Sequence, residues 1–173
     1  MLECQNYQNL TNGNRKNTYG AGVVTCDSSL SPGWFRFQGD AGIKMATTCV
    51  PDNHCGTHST GWLNGAHPTV AEGQVTRQVC FNWNSNCCNW SINIQVLSCG
   101  DFFIYYISGT PPEHPCHLRY CGADWNMLWA LKLNPGKDAS KNPVPGILLK
   151  CSFYKISIPL SVSRKIHSQF SCG

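Results

Sequence analysis

The chain of 173 residues is long enough for one domain of ordinary size and too short for two large ones. Charged residues make up only 13% of the chain and hydrophobic residues 42%, a balance that excludes an intrinsically disordered protein. The formal charge of +4 does not indicate a nucleic-acid surface, because residues 1–122 carry six Lys/Arg and seven Asp/Glu, and the basic excess lies wholly in residues 123–173.

Twelve cysteines form a dense and even set for this length. Such density is usual in proteins of oxidising compartments, where disulfides supply part of the stability that a hydrophobic core would otherwise provide. We therefore expect a secreted or cell-surface protein. Residues 1–6 show no signal-peptide features, and the longest apolar run, residues 102–107, is too short to span a membrane. We accordingly interpret the sequence as a fragment or an incomplete gene model.

Short β-like runs separated by turn residues predict a small, mainly β domain with irregular loops over residues 1–122. In chain order, the strand candidates are residues 33–37, residues 74–81 and a hairpin over residues 92–107 that turns at residues 98–101. No segment has a sustained helical period. We predict short antiparallel hairpins held together by four to five disulfides.

The cysteine and proline content of the sequence changes after Gly122. Only Cys151 and Cys172 remain as cysteines, and Pro135, Pro143, Pro145 and Pro159 interrupt every run. The sequence therefore predicts a domain boundary near Gly122 and, over residues 123–173, a basic tail that is poorly ordered. Cys151 and Cys172 could form an extra disulfide within this tail.

The adjacent cysteines Cys87 and Cys88 are the most specific local signal. Neighbouring cysteines rarely bridge each other, because the small ring strains the intervening peptide. We expect separate partners, so that this dipeptide joins two distant parts of the chain.

Five motifs together resemble the eight-cysteine domain of the uromodulin and zymogen-granule membrane glycoprotein family, over about residues 4–122. They are Gly33-Trp34-Phe35-Arg36-Phe37, Met45-Ala46-Thr47-Thr48-Cys49-Val50-Pro51, Trp62-Leu63-Asn64-Gly65-Ala66-His67-Pro68, Cys87-Cys88-Asn89-Trp90 and Cys116-His117-Leu118-Arg119-Tyr120-Cys121. The cysteines that match the family set are Cys49, Cys55, Cys80, Cys87, Cys88, Cys99, Cys116 and Cys121. Cys4 and Cys26 resemble an additional N-terminal pair; the resemblance leaves the disulfide pairing open.

The resemblance implies a module of a secreted or membrane-anchored extracellular glycoprotein, with neighbouring extracellular domains in the full-length protein. In the family, a glycan on the asparagine of a Trp-Leu-Asn-Gly-Thr motif serves as bait for bacterial lectins. This sequence has Ala66 in place of the threonine, so that role does not carry over to Asn64. Two complete sequons begin at Asn9 and Asn89, and we expect N-glycans at these asparagines.

The interpretation from sequence is an extracellular binding or adhesion module whose partners are extracellular proteins or glycans. One alternative is a secreted effector that acts alone, such as an inhibitor or toxin-like protein. A full-length transcript would separate the two, because a module should be accompanied by further extracellular domains. A more distant alternative is an intracellular zinc-binding protein that uses cysteines together with histidines. The histidines in question are His54, His58, His67, His114 and His117.

No Cys-x2-Cys knuckle is present, so we expect neither a metal site nor a cofactor. No catalytic motif is present either, and an even cysteine set predicts that no thiol remains free to act as a nucleophile. The carboxylates form no recognisable acid/base pair and are expected on the surface: Asp40, Glu72, Asp101 and Glu113. We therefore expect no enzymatic activity. The aromatic residues are expected to fill the core around the bridges: Trp34, Phe35, Phe37, Trp62, Trp83, Trp90 and Tyr105.

Overall fold

The computed structural model describes residues 2–20, 22–112 and 117–125. Its regular structure is β, apart from three single-turn 3-10 helices at Glu3–Gln5, Gly13–Arg15 and Gly39–Ala41. The strands are β1 (Gln8–Leu10), β2 (Gly33–Phe37), β3 (Lys44–Met45), β4 (Ser59–Asn64), β5 (Gln74–Trp83), β6 (Asn86–Ser98), β7 (Phe103–Ile107), β8 (Leu118–Tyr120) and β9 (Gly122–Ala123). This confirms a small, mainly β domain. The predicted tail lies outside the described residues from residue 126 onward, as do Cys151 and Cys172.

Seven strands form one sheet in the order β1-β2-β7-β6-β5-β4-β8. The central five strands pair antiparallel, whereas each outer strand, β1 or β8, runs parallel to its neighbour. Parallel neighbours require a long connection, so residues far apart in sequence are brought together at both edges. A second, two-stranded sheet pairs β3 with β9.

The predicted strand at residues 33–37 coincides with β2, and the predicted hairpin at residues 92–107 is formed by β6 and β7. Its turn is closed by the Cys99 amide, which donates to the Phe102 carbonyl at 2.8 Å. The alternating apolar residues Ile94 and Val96 face the core. Period-two alternation next to a turn signal was therefore sufficient to find these elements.

The longest hairpin, formed by β5 and β6, extends beyond the prediction at residues 74–81. Asn84 and Ser85 make its two-residue turn, with φ values of 51° and 63°. Two successive left-handed residues are what a tight antiparallel hairpin requires, and asparagine tolerates this conformation better than most residues. The turn lets β6 start at Asn86, so that Cys87 and Cys88 lie within a strand.

The main core lies on one face of the large sheet and combines aromatic with aliphatic side chains. Phe35, Phe37, Phe81 and Tyr105 are buried in it, and Trp90 packs partly against it. Trp62 packs on a smaller cluster composed of Ala46, Val50, Cys55, Cys121 and Ala123. Trp34 stacks edge-on against Tyr106, and Trp83 is 38% exposed. Core filling thus accounts for most of the predicted aromatic residues, but not for Trp34 or Trp83.

Gly122 allows strand β9 to pack directly against the backbone of Ala41 and the ring of Phe37. A Cβ atom at this position would overlap the carbonyl oxygen of Ala41 and meet the Phe37 ring at 2.7 Å. Because backbone and a core aromatic ring would both have to move, no side chain larger than hydrogen fits here.

Candidate functional site

The structure gives Cys87 and Cys88 separate partners. Cys87 bonds to Cys49, in the loop after β3, whereas Cys88 bonds to Cys80 across the hairpin. The indole N–H of Trp62 also donates to the Cys87 carbonyl at 2.8 Å. This end of the sheet is therefore held by two bridges and a side-chain hydrogen bond.

Two further bridges hold segments that are remote in sequence. Cys4 bonds to Cys99 in the β6–β7 turn, and Cys55 bonds to Cys121 beside β8. Cys4, one of the two additional N-terminal cysteines, is thus bonded to Cys99 and not to Cys26. The parallel β1–β2 edge and the turn after β6 place Cys4 beside Cys99 instead.

The sulfur of Cys26 lies 3.5 Å from the Ser28 hydroxyl. Cys116, the remaining member of the family set, is outside the described residues.

The corner that follows β4 at Asn64 is exposed and is held by side-chain hydrogen bonds. Asn64 is the exposed last residue of β4, and its side-chain amide donates to Gln78 Oε1 at 2.9 Å. Gly65 follows with a φ of 144°, and Arg77 Nε donates to the Ala66 carbonyl at 3.0 Å. The corner is thus held in place by contacts that do not involve the Ala66 side chain.

Both sequon asparagines lie on strands with their side chains exposed. Asn9 is the middle residue of the edge strand β1, and Thr11, which completes its sequon, is also exposed. Asn89 lies in β6, and its side-chain oxygen accepts a hydrogen bond from the Asn86 side chain at 3.3 Å. Ser91 is exposed as well. Each site leaves room for a bulky, hydrated group.

His67 is mostly buried beside the core. Its Nε2 lies 2.7 Å from the Tyr105 hydroxyl, which accepts the Met45 amide at 2.8 Å, and its ring stacks on Phe103 with centres 4.3 Å apart. Burial, assisted by the positive charge of Lys44 and Arg77, lowers the pKa of His67 from 6.5 to about 3. The neutral imidazole is therefore the form that the fold accommodates.

We expect this histidine to make the domain sensitive to mild acid. In the unfolded chain His67 takes up a proton below pH 6.5, whereas in the folded chain it does so only near pH 3. Protonation therefore favours the unfolded chain, and the stability that is present above pH 6.5 is lost as the pH falls. At pH 5 the loss from this group should be about 2 kcal/mol. Urea unfolding at pH 7.5 and pH 5 measures it. The His67→Gln variant should lack most of the difference and His54→Gln should keep it, whereas equal losses in both would contradict the assignment.

The predicted surface carboxylates do not converge on a site. Glu72 accepts bonds from the Thr69 amide and hydroxyl at 2.7 and 2.9 Å and lies 3.4 Å from Arg77. The Thr69 amide bond is the main reason why its pKa is lowered. Asp40 and Asp101 are exposed elsewhere, and Glu113 is outside the described residues.

The histidines considered for zinc are similarly dispersed, with one exception. Among residues 2–20, 22–112 and 117–125, no group of three or more His, Cys, Asp or Glu side chains is close enough to hold a metal ion. His54 bonds to the Asp52 carbonyl, and His67 lies beside the core, where it contacts Tyr105. The rings of His58 and His117, however, lie 5.1 Å apart. His114 is outside the described residues.

A buried ion network is the main feature that the sequence did not reveal. Arg15 binds both carboxylate oxygens of Asp27 at 2.6 Å, and the Tyr120 amide donates to the same carboxylate at 3.0 Å. Arg119 Nε lies 3.9 Å from Asp27, and its Nη1 donates to the Cys55 carbonyl at 2.9 Å. Burial, followed by the charge of Arg15, lowers the pKa of Arg119 to about 10 despite the opposing effect of Asp27. This network connects the N-terminal segment to β8.

Within the described part of the chain, no helix has the length and hydrophobicity needed to cross a lipid bilayer.

The comparisons with known proteins agree with this framework. The uromodulin-like domain family matches residues 35–122, which contain the complete set of eight cysteines and neither Cys4 nor Cys26. The pancreatic secretory granule membrane major glycoprotein GP2 of Canis lupus familiaris is 46% identical over 119 residues, or 68% of this chain and 23% of that protein. Uromodulin of Mus musculus is 47% identical over 119 residues, or 68% of this chain and 18% of that protein.

The same pancreatic glycoprotein of Homo sapiens is 40% identical over 119 residues and is covered over 21% of its length. The chain thus spans less than a quarter of the length of these relatives. With the family match over residues 35–122 and the cysteine framework in place, the chain belongs to the uromodulin-like domain family.

Proposed function

We propose that this chain is a non-catalytic binding module of a secreted or membrane-anchored glycoprotein, which presents a rigid, glycosylated surface to extracellular proteins or glycans. The observation that carries the proposal is the placement of Asn9 and Asn89. Both are exposed on strands whose positions are fixed by pairing and by nearby disulfides. A glycan attached there would stand on a rigid support rather than on a mobile loop.

The environment of each asparagine supports this role. A glycan on Asn9 would cover the outer strand of the sheet, and an exposed edge strand otherwise invites pairing with another chain. Asn89 lies next to Cys88, so its backbone is held by the bridge to Cys80. Two relatives are named as membrane glycoproteins of secretory granules, which is consistent with passage through an oxidising, glycosylating compartment.

The proposal predicts the mass of the secreted protein. When expressed behind an added signal peptide, the chain should carry N-glycan mass and resist alkylation until it is reduced. Asn9→Gln and Asn89→Gln should each remove one glycan, whereas Asn12→Gln should remove none, because Asn12-Gly13-Asn14 is not a sequon. Intact-mass spectrometry before and after glycosidase treatment measures this.

The Asn64 corner supplies a positive control for the same experiment. Ala66→Thr completes a sequon at an exposed asparagine in a corner that does not depend on the Ala66 side chain, so one additional glycan is expected. Secreted protein that carries no glycan, or that has several thiols open to alkylation without reduction, would overturn the proposal.

A further inference from the structure

Two histidines from distant parts of the chain meet at one end of the sheet. His58 directly precedes β4 and His117 directly precedes β8; these strands pair in parallel, with Ser59 opposite Leu118. The register therefore sets residues 58 and 117 side by side, and their ring centres are 5.1 Å apart. The centre of the Trp83 ring is 6.1 Å from that of His58.

His117 is held in an unusual backbone conformation. Its φ is 110°, a value that costs free energy for any residue with a Cβ atom. Two hydrogen bonds to its carbonyl, from the Ser59 amide and the Thr57 hydroxyl, both 2.8 Å long, fix this conformation. The imidazole of His117 is thereby directed beside His58, and within the described residues its ring nitrogens make no hydrogen bond.

A contact of the His58 Nδ1 atom leaves its Nε2 atom available to a metal ion. Its Nδ1 lies 3.2 Å from the side-chain oxygen of Asn53. When Nδ1 donates its proton to this amide oxygen, Nε2 keeps a free lone pair. Metal-binding histidines are usually oriented by such a bond from their second nitrogen.

The separation of the rings fits a shared ion. With a metal–nitrogen bond of about 2.0 Å, a metal ion lies about 3.2 Å from the centre of an imidazole that binds it, so two imidazoles at a tetrahedral angle have centres about 5.2 Å apart. The observed separation is 5.1 Å. Direct stacking of two imidazole rings would instead bring their planes close to parallel, whereas these planes are inclined by 45°.

We propose that His58 and His117 form a surface binding site for a divalent transition-metal ion of the class that imidazole favours, with Zn²⁺ as its representative. Water or a group from a binding partner completes the coordination sphere. The site uses none of the cysteines, since Cys49, Cys55, Cys87 and Cys121 in the surrounding loops and strands are held in disulfides. It is therefore compatible with an extracellular protein, unlike a cysteine zinc knuckle.

Isothermal titration of the oxidised, secreted protein with Zn²⁺, after removal of any histidine tag, tests the proposal. We expect one ion bound per chain. His58→Gln and His117→Asn should each weaken binding by more than about tenfold, since even residues that only orient a metal ligand contribute that much. Asparagine is chosen at position 117 because it tolerates positive φ better than glutamine does.

The control variants are His54→Gln, in the same loop as His58, and His114→Gln, close to His117 in sequence. Both should bind Zn²⁺ as the unmodified protein does. Unchanged far-UV circular dichroism in all four variants establishes that the fold persists. No binding by the unmodified protein, or binding that survives loss of His58 and His117, would overturn the assignment.

Discussion

Replacing Asp27 with alanine is expected to lower the free energy of unfolding by about 3 to 5 kcal/mol, because it leaves two buried guanidinium groups without their shared carboxylate. Arg15, Asp27 and Arg119 are 6%, 1% and 2% exposed, so water cannot replace the lost partner without opening the structure. The Tyr120 amide would also lose its acceptor. Chemical denaturation of the oxidised protein measures the change.

A matched control is Asp40→Ala. Asp40 is an exposed carboxylate in a 3-10 turn, and its loss should change stability by no more than about 0.5 kcal/mol. If Asp27→Ala costs no more than this control, the buried pair does not contribute as its geometry indicates. Asp27→Asn, which keeps the shape and removes the charge, separates the two contributions.

The second large effect is expected on removal of the bridge between Cys55 and Cys121. The two residues are 66 positions apart, and the chain-entropy model gives about 4 kcal/mol for closing such a loop. Both cysteines are fully buried against Ala46 and Val50, so replacing them with alanine also loses packing. We expect the double alanine variant to be folded only in part at 37 °C, as thermal unfolding followed by circular dichroism should show.

The bridge between Cys80 and Cys88 provides the comparison. It spans only 8 positions within a hairpin whose strands already pair, and the same model gives about 2.5 kcal/mol. Its double alanine variant should therefore unfold at a higher temperature than the variant without the Cys55–Cys121 bridge. The reverse order would mean that packing around Cys80 outweighs loop closure.

Local sequence patterns predicted the elements that depend on local forces. The alternation from Ile92 to Leu97 and the turn at Cys99 and Gly100 specify a hairpin because both signals act between neighbours in sequence. The Asn84-Ser85 turn carries a similar signal, which would have extended the strand prediction to Trp83 and Asn86. Both faces of the hairpin tip are exposed, so the residues there are polar and show no alternation of apolar and polar residues from which a strand could be predicted.

The buried ion network and the histidine pair could not be predicted in this way. Asp27 and Arg119 are 92 positions apart, and nothing near either residue distinguishes it from a surface charge. His58 and His117 meet only because β4 and β8 pair in parallel, which depends on the whole sheet. Likewise, Cys4 reaches Cys99 through the outer strand β1, so a spacing argument could not assign its partner.

The order of the bridges along the chain sets a limit on how far the domain can be stretched. Consider a force that pulls Cys4 and Cys121 apart. The covalent path between them begins with the Cys4–Cys99 bridge and follows twelve residues of the chain to Cys87. It then crosses the Cys87–Cys49 bridge, follows six residues to Cys55 and ends with the Cys55–Cys121 bridge. The covalent path can extend to no more than about 80 Å, whereas the same segment without bridges would reach about 400 Å. The three bridges therefore limit how far this segment can lengthen when its ends are pulled apart.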